Sequence, residues 1–163
     1  MDIVECDVQQ PNAVTSKDSS GESQMPEQPT LSVVVPTLNE ASNIAHLVRR
    51  LTRALRHVDH EIIVVDDASA DGTADLAESL RPRFPALRVV RRTSDFGLSK
   101  AILAGFAVAR GELLAVIDAD LQHDPGILPS LLTCAASHPI VVASRYAFRD
   151  HACHWSLFRE VES

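Results

Sequence analysis

The sequence predicts an α/β fold in which a mostly parallel sheet is covered by helices on both faces. Three observations lead there: short β-branched runs recur along the chain, helical apolar periods lie between them, and the connections are too long for hairpins. The first run, Leu31-Ser32-Val33-Val34-Val35-Pro36, is closed by a proline and suits a strand buried on both sides. Glu61 to Asp66 and Leu113 to Asp118 repeat that form, and Leu87 to Val90 and Ile140 to Ala143 are shorter candidates. Between the strands, Ile44, Leu47, Val48, Leu51 and Leu55 fall on one helical face, with Ser42 or Asn43 as the expected cap. Thr73 to Leu80 and Leu98 to Ala109 have similar periods, and Pro125 opens a further helix at a position where proline is tolerated. No internal repeat of fixed period occurs.

Met1 to about Thr30 is polar, with no apolar period, and reads as a disordered arm ahead of one domain over residues 31–163. At 163 residues the chain has room for one core, and an aromatic share of only 4% makes that core one of Ala, Leu and Val. The net charge of -7 argues against a general affinity for nucleic acid or anionic lipid, although it leaves room for local basic sites. There is neither an apolar run of spanning length nor a signal pattern, so the expected location is cytoplasmic, or peripheral to a membrane through a partner. Cys6, Cys134 and Cys153 have no metal-ligand spacing and suggest no disulfide framework, which fits a reducing compartment.

Three expected strands end in polar or acidic residues: Pro36 to Glu40, Asp66-Asp67 and Asp118-Ala119-Asp120. In an open α/β sheet the carboxyl ends of the strands form the ligand crevice, so three segments deliver carboxylates to one edge. Crowded carboxylates repel and require a positive group among them, for which a divalent cation is the simple candidate. Asp118 and Asp120, with Gln122 following, offer oxygen donors only, a set that suits Mg²⁺ or Mn²⁺ better than zinc. A cation held by few protein oxygens keeps positions for water and phosphate and neutralises charge on a departing nucleoside diphosphate. The plain alternative is an acidic turn capping the Pro125 helix, for which Asp124 would suffice. Asp66, which no helix needs, is assigned to a base N–H or a ribose hydroxyl, whereas Asp71 and Thr73 read as turn and cap residues.

Neither G-x-G-x-x-G nor a Walker loop is present, which argues against dinucleotide dehydrogenases and P-loop enzymes and leaves phosphate binding to a metal. The segment Asp95 to Lys100 has one glycine before a helix; its N–H groups either face a phosphate or simply start that helix. His151 and His154 have ligand-like spacing without a second pair and are assigned no metal, and His123 is assigned no role.

The strings VVVPTLNEASNI, IIVVDDASADGT, GLSKAILAGFAVARG, VIDADLQHDP and ASRY follow one another over about seven tenths of the chain. In that order and spacing, Leu31 to Tyr146 resembles the inverting family 2 glycosyltransferases of the GT-A fold, a three-layer α/β/α sandwich. Within them it is most similar to dolichol-phosphate mannosyltransferases, or polyprenyl-phosphate-mannose synthases. The resemblance implies a GDP-mannose donor, a polyprenyl (dolichyl) phosphate acceptor, and Mg²⁺ or Mn²⁺ on Asp118, Asp120 and Gln122. It implies a donor nucleotide site of Pro36, Leu38, Glu40, Val64, Asp66, Asp118, Ala119 and Asp120. By the same matching, Arg145, Arg159 and Ser163 contact the acceptor phosphate, and Asp118, Asp120 and Arg145 are the catalytic residues. A lipid phosphate is already an anionic nucleophile, so the site needs chiefly to align two anions, and single displacement inverts the anomeric centre.

Leu38 stands where the family often has an aromatic. Family catalytic domains also continue past Ser163, and Glu160 and Glu162 replace basic or apolar residues. The expectation is therefore a domain incomplete at its carboxyl end. Two alternatives stand beside the mannosyl transfer: a nucleotide-sugar-binding module without transferase activity, and a transferase using a UDP-sugar.

Overall fold

The computed structural model describes residues 29–143. Described residues up to Pro129 form one unit and those from Ser130 another. Among the described residues the sheet has strands β1 (Leu31–Thr37), β2 (His60–Asp66), β3 (Leu87–Arg91) and β4 (Leu113–Val116), all parallel, in the order β3-β2-β1-β4. The helices are α1 (Ala41–Ala54), α2 (Thr73–Leu80), α3 (Leu98–Val108) and α4 (Leu128–Ala135). The alternation of strand and helix is as the sequence predicts.

β1 is buried at every residue and β2 from Glu61 onward, as central parallel strands covered on both faces must be. On one face Val34, Ile63 and Val65 pack with Ala101 of α3. Gly105 allows this helix to lie close: a Cβ there would press on the Val34 side chain and sit 3.1 Å from Val65 Cγ2. By the two-residue strand period, Val33, Val35, Ile62 and Val64 point to the opposite face, and they too are fully buried. α1 and α2 bury Ile44, Leu47, Leu51 and Ala77, supplying the apolar cover that face requires.

At the amino ends of the strands a buried carboxylate ties several elements together. Glu61 accepts hydrogen bonds from Ser32 Oγ (2.7 Å), Arg88 Nη1 (2.7 Å), and the backbone N–H and guanidinium of Arg110 (2.7 and 3.0 Å). Burial pulls its pKa upward, but the bonds from Arg88, Ser32 and Arg110 outweigh that and lower it from 4.5 to about 2.

Several boundaries differ from expectation. α1 starts at Ala41, and neither Ser42 nor Asn43 caps it. The open N–H groups are taken from outside, by Asp71 Oδ2 on Ala41 (2.9 Å) and Thr73 Oγ1 on Glu40 (2.8 Å). β4 is shorter than the apolar run and pairs with β1, and Leu114 and Val116, alternate residues on one face of the strand, are exposed. α3 ends at Val108, and Pro125–Ile127 opens α4 as a 3-10 turn with Asp124 accepting from the Gly126 N–H. Ile140 to Ala143 forms no strand. Cys134 is disulfide-bonded, contrary to the expectation of unpaired cysteines; Cys6 and Cys153 lie outside the described residues. No helix among the described residues is long and apolar enough to cross a membrane.

Candidate functional site

The strand order reverses at β1, which has β2 on one side and β4 on the other. At such a switch point the connecting loops depart in opposite directions and open a crevice beyond the carboxyl ends of the two strands. Here that crevice lies between the loop after β1 and the segment after β4. The Ile117 N–H donates to Val34 O (3.1 Å), and continuing the parallel register brings Asp118 level with Pro36.

In the segment after β4, Ile117 and Ala119 are buried while Asp118 and Asp120 are exposed, so the two carboxylates share the solvent side. Leu121 has a φ of 63°, in the left-handed region that a branched side chain seldom adopts. That turn lets the Gln122 N–H donate to Asp120 Oδ1 (2.9 Å). His123 Nδ1 lies 3.9 Å from Asp118 Oδ2, and among the described residues no lysine or arginine pairs with either carboxylate. Nor do three His, Cys, Asp or Glu side chains gather there at metal-binding distance. The donor set is thus oxygen-only, accessible and open, which fits Mg²⁺ or Mn²⁺ sharing its shell with phosphate and water, and fits zinc poorly.

The expectation that one cation joins all three acidic strand ends needs correcting. Asp66 is 2% exposed, and its oxygens accept from Ser69 N (2.9 Å), Ser69 Oγ (2.5 Å) and Thr37 Oγ1 (3.2 Å). Its carboxylate is occupied in shaping the loop after β2, and its side chain is almost wholly buried. Val64 is likewise fully buried within β2. The positive group beside Asp67 belongs to the protein: Arg92 Nη1 donates to Asp67 Oδ1 (2.5 Å), with both side chains about nine-tenths buried. Asp67 Oδ2 accepts the Gly97 N–H (2.7 Å), so that amide, one of the two readings for a phosphate contact, is already used. Gly97 has a φ of 132°, which glycine tolerates and other residues do not, and it begins α3.

These bonds build one wall of a cavity of about 470 Å³ lined by Pro36, Thr37, Leu38, Asp67, Phe96 and Gly97, with Leu98 and Ala101. Its volume is in the range of small-molecule sites. Leu38 and Phe96 are 60% and 50% exposed, so large apolar faces are presented to whatever enters. The rim is cross-braced. The Asn39 N–H donates to Ser69 Oγ (2.8 Å), the Ala70 N–H to Asn39 Oδ1 (3.0 Å), and the Asp67 N–H to Thr37 O (3.0 Å). Asp71 is the turn residue that its spacing predicts; the Thr73 hydroxyl donates to it and holds its pKa below the ordinary value. Glu40 is half-buried and accepts from Asn43 Nδ2 (2.7 Å).

The structure therefore brings Pro36 and Leu38 into one cavity and, by the parallel register, Asp118 level with Pro36, while Ala119, Asp120 and Gln122 follow in the segment after β4. Arg92 and Phe96 are the additions that sequence reasoning passed over, and Asp67, read there only as the second acid of a strand end, was given no role of its own. Arg145, Arg159 and Ser163, with His151 and His154, lie outside the described residues.

Residues 32–161 match the family model described as Glycosyl transferase family 2. The chain is 39% identical over 134 residues to a dolichol-phosphate mannosyltransferase of Pyrococcus furiosus, a match covering 82% of this chain and 38% of the relative. It is 38% identical over 140 residues to the protein of the same name from Saccharomyces cerevisiae, covering 81% and 51%. Among solved structures it resembles a mannosyltransferase from Pyrobaculum calidifontis in complex with GDP-mannose and Mn²⁺. That similarity has a TM-score of 0.60 at 28% identity and covers 71% of this chain and 34% of the other. The chain thus spans half or less of the length of the P. furiosus and P. calidifontis proteins, and about half of the yeast one.

Proposed function

The chain belongs to glycosyl transferase family 2, and we propose that it moves mannose from GDP-mannose to a polyprenyl (dolichyl) phosphate with inversion at the anomeric carbon. The observation that carries this reading is the pairing, at one switch point, of a base-sized apolar cavity with two exposed carboxylates that have no arginine or lysine partner among the described residues. The named relatives are dolichol-phosphate mannosyltransferases, and the P. calidifontis mannosyltransferase holds GDP-mannose with Mn²⁺.

In this reading Leu38 and Phe96 clasp the base between apolar faces, and Phe96 provides the aromatic that position 38 lacks. Glu40, Asn39 and the braced loops around them fix the ribose end of the site. Asp118 and Asp120, with Gln122, hold Mg²⁺ or Mn²⁺. When bound, that ion offsets the negative charge of the diphosphate leaving group. Arg145, Arg159 and Ser163 are assigned to the acceptor phosphate, aligning its oxygen with the anomeric carbon. The reaction is placed at the cytoplasmic face of a membrane, with the protein in peripheral contact or held there by a partner.

The test is incubation of the full chain with radiolabelled GDP-mannose, Mn²⁺ or Mg²⁺ and a polyprenyl phosphate in detergent. A mannosylated lipid is expected. Binding of GDP-mannose without any glycolipid would replace the transferase by a binding module, and product from UDP-glucose alone would reassign the donor.

A further inference from the structure

One helix carries a charge pattern that the donor site does not use. Between Ala41 and Val58 the chain has four arginines and no carboxylate, within a protein whose net charge is -7. The apolar stripe of α1, Ile44, Leu47, Val48 and Leu51, is buried against the fold. Arg49 and Arg53, one turn apart, are exposed on the other side, and Arg56 is exposed in the turn just past the helix end. Arg50 is matched, by Asp124 at 2.9 Å.

The acids on the elements packed against α1 are all committed to arginines other than Arg49, Arg53 and Arg56. Glu78 of α2 pairs with Arg81 (2.9 Å), Asp75 with Arg91 (2.7 Å), and Asp124, ahead of the turn that α1 contacts, with Arg50. Arg49, Arg53 and Arg56 have no carboxylate within ion-pair distance among the described residues; Arg56 donates only to His57 (2.9 Å). A single arginine in the last turn would answer the helix dipole, and Arg53 does that. Arg49, more than a turn from the end, and Arg56, beyond it, are left unexplained by that role.

We propose that Arg49, Arg53 and Arg56 form a docking surface for an anionic lipid bilayer. Against a chain that is acidic overall, an anionic surface can be approached only through a local positive face, and this is the face of α1. A bilayer is favoured over a polynucleotide because the stripe is short and carries no exposed Phe, Tyr or Trp for base stacking, only the imidazoles of His46 and His57, and because the acceptor assigned above is a membrane lipid. That choice of partner rests on the acceptor reading; the charge pattern does not.

The experiment is co-sedimentation of the full chain with vesicles of phosphatidylcholine alone and of phosphatidylcholine with 30% phosphatidylserine by design, on the order of a mixed anionic leaflet. Neither vesicle contains a polyprenyl phosphate, so the outcome is independent of catalysis. Binding is expected to the anionic vesicles only and to weaken as salt is raised. The triple variant Arg49→Gln, Arg53→Gln, Arg56→Gln should bind about 100-fold more weakly, from about 1 kcal/mol per basic residue near such a surface. The triple lysine variant should restore binding, and GDP-mannose affinity, measured in parallel, should be the same in all three proteins. Equal binding of the wild type and the glutamine variant overturns the proposal. So does arginine-dependent binding of a single-stranded RNA without binding of the vesicles. A glutamine variant that loses GDP-mannose affinity as well would mark the arginines as structural and overturn it too.

Discussion

Asp67 and Arg92 meet at 2.5 Å with their side chains about 9% and 10% exposed, and the same carboxylate takes the Gly97 N–H. Removing one member of such a pair leaves the other charge buried and unmatched, a loss of roughly 3–5 kcal/mol. Asp67→Ala is therefore expected to lower unfolding free energy by about that amount in urea titrations. Asp67→Asn keeps an acceptor for Gly97 and should lose less. A change of under about 0.5 kcal/mol in Asp67→Ala would show that the pair is solvated and holds nothing in place. In the sequence, Asp66 and Asp67 read as ligand-facing acids, because a strand end is where ligands bind. Their actual partners are unreadable locally: Arg92 is 25 residues away, and Ser69 reaches back only because Ala68 takes a left-handed φ of 56°. Asp118 and Asp120 were more legible, since an apolar strand running straight into alternating acids leaves both on the solvent side.

At the scale of elements, two contacts set how the layers meet. Gly105 of α3 faces Val34 and Val65 with no room for a methyl group. Alanine in a helix is favoured over glycine by about 1 kcal/mol, but overpacking against the sheet costs about 1–3 kcal/mol. Gly105→Ala is thus expected to lower the melting temperature in a thermal scan; a rise would mean that α3 shifts freely on the sheet. Glu61 holds β1, β2, β3 and the connection into β4 from the opposite end. Its folded pKa of about 2 lies below its ordinary value of 4.5. Its ionised form therefore contributes on the order of 3 kcal/mol above pH 4.5, and that contribution fades as pH falls from 4.5 toward 2. The stability difference between the wild type and Glu61→Gln should be largest near neutrality and shrink through that window. A difference independent of pH would contradict the charged network. The apolar periods identified α1, α2 and α3, and Pro125 the fourth helix, but not the start of α1, because its first N–H groups are satisfied by Asp71 and Thr73 from another loop.

For the whole molecule, the parallel α/β class and the edge that carries the site followed from alternation and from acidic strand ends. The strand order did not: no local pattern states that β4 joins β1 on the side away from β2, and that placement makes the switch point. The cavity was half legible, with Pro36 and Leu38 named in advance and Phe96 hidden in what reads equally as a helix start. The account rests centrally on Asp118 and Asp120 holding the metal that binds the donor diphosphate. Calorimetric titration of GDP-mannose into the full chain with Mn²⁺, with Mn²⁺ removed by chelator, and with Asp118→Asn/Asp120→Asn tests it most directly. Chelation and the double variant should each weaken binding by at least about 100-fold, beyond what residues that merely support a metal ligand contribute. Affinity unchanged in the double variant would contradict the account.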